Sequence, residues 1–126
     1  MSKEILYTAK APAPIGPYSQ AVKANGFLFV SGQVAIHPES NTLITDNITN
    51  ETHQVMKNLE AILTNAGIGF GNVVKTTIFL SDMDLFAQVN EIYAQYFTSD
   101  FPARETVAVR ALPKGVNVEI SVIASV

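Results

Sequence analysis

The sequence predicts an α+β fold, a single mixed β-sheet with two helices on one face. Three observations lead there. Runs of alternating and β-branched apolar residues bracket two stretches of helical periodicity, giving the order β-β-α-β-α-β-β. A strand feeding a helix feeding a strand requires at least one parallel pairing, and the strand pairs at either end read as antiparallel hairpins. The 126 residues, 48% hydrophobic and 15% charged, suit one packed domain spanning 1–126.

After a short polar start comes a lead-in loop, Ala11-Pro12-Ala13-Pro14-Ile15-Gly16-Pro17, whose prolines hold an extended path unsuited to helix or central strand. Residues 18–24 and 27–33 read as two strands joined through Asn25-Gly26, the dipeptide that suits a two-residue hairpin. Residues 36–45 form a polar loop. From Ile48, the side chains Val55, Leu59, Ile62 and Ala66, with Met56 and Leu63 beside them, recur at helical spacing opposite His53, Lys57, Glu60 and Thr64. Asp46 or Asn47 caps that helix and Gly67 ends it.

Residues 72–80 are rich in β-branched side chains, with Val74, Thr76, Ile78 and Leu80 on one side and Val73, Lys75, Thr77 and Phe79 on the other, a strand covered on most of both faces. A second helix, capped by Asp82 or Asp84, carries Leu85, Phe86, Val89, Ile92, Tyr93, Tyr96 and Phe97, and Phe101-Pro102 closes it. Residues 106–111 and 116–124 are expected to form a hairpin across Pro113-Lys114-Gly115. Two helices shield one side of such a sheet, so the other side is expected to be covered by self-association.

Composition narrows the chemistry. With no cysteine there is no disulfide, thiol nucleophile or thiolate metal site, and with only His37 and His53, both read as solvated, no histidine-rich metal centre. A net charge of −3 without a Lys/Arg cluster argues against nucleic acid. No stretch approaches the ~20 apolar residues of a membrane span, and the start lacks a signal-peptide apolar core, so a cytoplasmic location is expected.

Arg104 follows Phe101-Pro102-Ala103 at the mouth of a strand, where a guanidinium can clamp a carboxylate or form a plain salt bridge. Glu119 lies opposite an apolar strand face formed by Val118, Ile120, Val122 and Ala124. If Ala111 pairs with Val116, Glu119 falls across from Ala108, on the same sheet face as Arg104 and about 13 Å from it. Ser31-Gly32 ends an apolar run with a hydroxyl and a residue that lets a ligand approach the backbone; a simple strand-ending turn is the alternative. Tyr18 can offer its hydroxyl to a ligand or anchor the loop, and Asn90 is either an exposed helix position or a side chain with a partner.

Taken together, Ala11-Pro12-Ala13-Pro14-Ile15-Gly16-Pro17-Tyr18-Ser19-Gln20-Ala21, Val30-Ser31-Gly32-Gln33, Val74-Lys75-Thr76-Thr77, Val89-Asn90, Phe101-Pro102-Ala103-Arg104 and Val118-Glu119-Ile120 resemble the reactive intermediate deaminase (Rid, YjgF) family, from about residue 5 to the C-terminus. The resemblance implies a chorismate-mutase-like homotrimer with sheets packed around the three-fold axis and ligand clefts between subunits. It implies hydrolysis of 2-imino acids such as 2-iminopropanoate and 2-iminobutanoate to 2-oxo acids and ammonia, without cofactor or metal. Arg104 would hold the substrate carboxylate and Glu119 would activate water, with Tyr18, Ser31, Gly32, Phe86, Asn90 and Thr106 lining the cleft, Gly32 and Thr106 through their backbone. Thr106 stands where many relatives have cysteine, and Glu105 is expected to compete for Arg104. A non-catalytic, ligand-binding regulatory trimer is the alternative function.

Overall fold

Alternation in the last strand sets the architecture. Val118, Ile120, Val122 and Ala124 are buried, while Glu119, Ser121, Ile123 and Ser125 between them are half-exposed. A strand with so continuous an apolar face belongs in the middle of a sheet, and that is where the computed structural model, which describes residues 2–126, places it. The strands are β1 (Glu4–Leu6), β2 (Ala21–Ala24), β3 (Phe27–Gln33), β4 (Val73–Leu80), β5 (Ala103–Ala108) and β6 (Val118–Ser125), in the sheet order β1-β2-β3-β6-β4-β5. Only β4 and β5 run parallel; every other neighbouring pair is antiparallel. The helices are α1 (Ile48–Asn65) and α2 (Phe86–Ala94), with short 3-10 turns at Phe70–Asn72, Met83–Leu85 and Pro113–Gly115.

Both helices lie on the face that β6 buries, as expected. Asn47 caps α1, its side-chain oxygen accepting from the Asn50 amide at 2.8 Å, and Gly67, at a φ of +79°, follows the helix end. Val55, Met56, Leu59, Ile62 and Leu63 are buried against β3 and β6, each contributing about 2 kcal/mol of apolar transfer. Asp82 starts the second helical segment by accepting from the Asp84 amide, and one 3-10 turn precedes α2. The opposite sheet face stays open, with Phe27, Phe29 and Val107 each more than 40% exposed.

Several expectations are corrected. Residues 18–20 belong to the lead-in turn, where Tyr18 N donates to Gly16 O at 2.8 Å, so β2 begins at Ala21; the three-residue β1 has too little pattern to be read. On its open face β4 is half-exposed, and an irregularity between Val73 and Lys75 reverses the expected faces at its start, burying Val73 in the core and leaving Val74 exposed. The expected hairpin between residues 106–111 and 116–124 does not form. Its first strand begins earlier, at Ala103, is exposed or half-exposed throughout, and takes the sheet edge. It pairs only with β4, and residues 109–117 pass over the end of β4, tied by Val109 N to Leu80 O at 2.8 Å and Ser81 N to Asn117 O at 3.0 Å. Thus β4 separates β5 from β6. Thr76 stands between Arg104 and Val122, whereas Phe79 stands between Val107 and Glu119. Thr76 and Phe79 are three positions apart, an odd number of steps, so Arg104 and Glu119 project from opposite faces rather than sharing one.

Three polar side chains on the core side of α1, Glu51, Thr52 and Asn58, are buried. Glu51, 0% exposed, accepts from the amides of Asn117 (2.7 Å) and Val118 (3.2 Å) and from Asn117 Nδ2 (2.9 Å). Those bonds fasten the start of β6 to the first turn of α1. Glu51→Ala is expected to cost about 3 kcal/mol, because three buried or partly buried donors lose their acceptor. Glu51→Gln should cost less, since its carbonyl still accepts from the backbone. Urea denaturation of the two variants checks the order.

Candidate functional site

Glu119 owes its place to a β-bulge. Val30 pairs with Val122 and Gln33 with Ile120, so β3 spends one residue more than β6 over Ser31 and Gly32. The extra residue brings Gly32 beneath the Glu119 side chain, where an added Cβ would run into Glu119 Oε2 and Cδ. Only glycine allows that approach. Ser31 is locked by its Oγ donating to Ser19 O at 2.6 Å and its amide to Gln20 O at 2.9 Å. Gln20, buried, donates through Nε2 to the carbonyls of Thr8, Ala11 and Pro12 and accepts from the Thr8 amide, which pins the proline-rich lead-in in place.

These elements enclose a cavity of about 680 Å³ whose lining includes Tyr18, Ser31, Gly32 and Glu119, with Ile36 and Leu43 among its apolar walls. Partial burial raises the Glu119 carboxyl above its ordinary value of 4.5. A carboxylate made more basic by lost hydration is suited to take a proton from water.

Arg104 occupies a different place. It leaves the edge strand on the helix-covered face and donates from Nη1 to Asn90 Oδ1 at 2.7 Å. Its guanidinium carbon lies 5.1 Å from the Tyr93 ring centre and 5.6 Å from that of Phe86. Two π-faces hold the planar cation and leave its edges as donors. Tyr93 is itself fixed by donating to Thr76 Oγ1 at 3.0 Å, and burial raises its hydroxyl above the usual value. A smaller cavity of about 400 Å³ adjoins Arg104, Asn90, Tyr93, Phe101 and Pro102.

The structure therefore gathers the expected site residues into two groups: Tyr18, Ser31, Gly32 and Glu119 in one, Phe86, Asn90 and Arg104 in the other. Within one chain the sheet divides them. Thr106 joins neither through its side chain, because its Oγ1 is buried without a hydrogen-bond partner. Glu105 does not compete for Arg104; it points to the open face and pairs with Lys75 at 3.0 Å. Nor are the histidines simply solvated. His53 Nδ1 shares a 2.7 Å hydrogen bond with Tyr96 OH, and His37 Nδ1 accepts from the Glu39 and Ser40 amides. Sequence reasoning passed over Tyr93 and Gln20 as site residues. The signal for Tyr93 was present, since positions 86, 90, 93 and 97 fall on one helix face. Among the described residues no three His, Asp or Glu side chains converge to hold a metal ion, and no helix is long and apolar enough to cross a membrane.

A mixed sheet with a half-buried carboxylate over a glycine bulge and a ring-stacked guanidinium on the edge strand marks a small α+β protein with one candidate base and one candidate anion-binding group. Residues 8–126 match the model of the family described as Endoribonuclease L-PSP, and the chain belongs to that family. It is similar to the human 2-iminobutanoate/2-iminopropanoate deaminase, at 48% identity over 122 residues that cover 97% of this chain and 89% of the relative. The crystal structure of YyfA from Yersinia pestis, of the conserved Rid protein family, superposes with a TM-score of 0.97 at 50% identity, covering 99% of this chain and all of that one. The crystal structure of TdcF from E. coli with bound serine gives a TM-score of 0.93 at 35% identity, covering 98% of each chain.

Gly32→Ala tests the bulge. The variant is expected to fold with a loss of about 1–3 kcal/mol and, in a crystal structure, to show the Glu119 carboxylate displaced from its position over residue 32.

Proposed function

We propose that the protein hydrolyses reactive 2-imino acids, in exchange with their enamines, to 2-oxo acids and ammonia, with 2-iminopropanoate and 2-iminobutanoate as substrates. The observation that carries this reading is Glu119, a carboxylate of raised basicity held over Gly32 on the wall of a cavity. A protein that merely bound small carboxylates would gain nothing from a carboxylate at that place, which repels them. The human relative's name and the serine-bound E. coli relative support an amino-acid-like ligand.

In the proposed reaction Glu119 takes a proton from water as the water oxygen bonds to the imine carbon. Glu119 returns that proton to the carbinolamine nitrogen, ammonia leaves, and the carboxylate takes the hydroxyl proton as the 2-oxo group forms, passing it on to the departing ammonia. A protonated imine is already electrophilic, so positioning and one base are enough. Arg104, stacked and edge-on, binds the carboxylate. Because the sheet separates Arg104 from Glu119, we assign the two groups of one cleft to different copies of the chain in a homotrimer whose open sheet faces pack together. Tyr18, Ser31, Gly32, Phe86 and Asn90 line that cleft, and Thr106 contributes through its backbone. The family's description names an endoribonuclease, but eight scattered Lys and Arg residues against eleven acidic ones suit a small anion better than RNA.

Steady-state deamination of 2-iminobutanoate, generated in situ from threonine by a pyridoxal-phosphate dehydratase, tests the reading. Arg104→Ala is expected to lose at least about 100-fold in kcat/KM while keeping the parent's circular dichroism. Glu119→Gln should lower kcat by a similar factor and leave calorimetric affinity for 2-oxobutanoate within a few-fold; unchanged kcat overturns the role of Glu119. Since the ionised base is required and burial raises its pKa, the parent's rate should fall on acidification at a pH above 4.5.

The assembly has its own check. Light scattering is expected to give three times the 13.6 kDa chain mass, unchanged by added salt because the packed faces are apolar. A stable monomer contradicts the shared cleft.

A further inference from the structure

The Glu119 cavity has a cationic neighbour that the proposed reaction leaves unused. Lys114 lies on its wall beside Pro113, in the turn Pro113–Gly115 that leads into β6. Its φ is +58°, in the left-handed region. Of the four non-glycine residues there, the other three are Asn25, Asn41 and Asp100, types whose short polar side chains tolerate that conformation. Lysine has no such excuse. An unfavourable backbone conformation kept at a cavity wall points to a use for the side chain it carries.

The turn holding Lys114 is rigid. Gly115 N donates to Leu112 O at 3.1 Å, Val116 is buried, and Glu51 grips Asn117 and Val118 immediately beyond. The root of the side chain is thus fixed while the residue itself is exposed. Electrostatics gives it a task. Among the described residues the one ion pair is Lys75 with Glu105, so Lys114 has no carboxylate partner, and it is the only Lys or Arg on the cavity lining. Arg104 lies on the other face of the sheet. Of the residues its own chain supplies, an anion approaching Glu119 therefore meets a carboxylate at the site and one unpaired cation at the wall, on a chain of net charge −3.

We infer that Lys114 is the capture cation of the Glu119 cleft, a specificity-determining residue that draws carboxylate-bearing substrates to the cavity and gives them preference over neutral analogues. This rests on the deamination reading for the identity of the substrate. Lys114 acts at long range during encounter, whereas Arg104 holds the bound carboxylate. Its influence is a charge effect that salt screens over about 10 Å at 0.1 M.

The test compares parent, Lys114→Asn and Lys114→Arg by kcat/KM for 2-iminobutanoate across a salt series. Lys114→Asn is expected to lower kcat/KM about fivefold at low salt, the scale of steering by a single charge, with kcat unchanged. Its urea midpoint should not fall, since asparagine suits the turn. Lys114→Arg should restore kcat/KM, and the gap between parent and Lys114→Asn should close at about 0.5 M salt, where screening is nearly complete. Equal kcat/KM at low salt, a gap that salt leaves intact, or a loss confined to kcat overturns the inference. If the parent does not deaminate, the functional reading fails on its own. Calorimetry with 2-oxobutanoate then decides: salt-dependent binding weakened in Lys114→Asn supports the capture role, and absent or equal binding overturns it.

Discussion

The grip of Glu51 on the start of β6 is the constraint from which the rest follows. Three hydrogen bonds converge on one buried carboxylate, from two backbone amides and the Asn117 side chain. They set where α1 meets the sheet and where β6 begins. Glu119 is the next residue after the last of these donors, and the Lys114 turn ends just before the first. Burying a carboxylate is costly unless its oxygens are well bonded. Here that requirement couples helix, turn and strand at the place where the cavity is built.

The sheet that this contact anchors also divides the chemistry. Adjacent positions along a strand face opposite ways, so the register that buries Val118 and Ile120 turns Glu119 to the open face. The same register turns Arg104 toward α2. The arginine there is supported by its own set, Asn90, Phe86 and Tyr93, with Thr76 behind Tyr93. Each group is ordered without the other. That arrangement suits the cleft proposed between copies of the chain, because assembly would need to align two parts and not to fold either.

Much of the fold was legible in the residues. The periodicity of Val55, Leu59 and Ile62, the Asn47 cap and the Asn25-Gly26 turn are local signals, and each element appears where it was expected. Strand order was not local. Residues 106–111 and 116–124 are close in sequence with a turn between them, so a hairpin was the natural reading; burial won instead, sending β6 to the centre and β5 to the rim. That one change of neighbour moved Arg104 to the other face from Glu119. The candidate site residues were named through the family resemblance, whereas the bulge at Ser31 and Gly32 depends on pairing across β6 that no single strand reveals. The part of Glu51 was hidden for the same reason, since its partners lie 66 residues and more away.

The place of β6 also bears on how the chain acquires its shape. It is the last strand in sequence and lies between β3 and β4 in space. Before residues 118–125 are in place, the sheet exists only as two pieces, β1-β2-β3 and β4-β5, each with an unpaired edge facing where β6 will go. Local order in either piece cannot join them, so closure depends on contacts of long sequence separation, which are slow to form. Two open strand edges awaiting one shared insert make the nascent or truncated chain a target for strand addition by other copies. The segment that carries Glu119 into the cavity is therefore also the segment that ends this vulnerable phase.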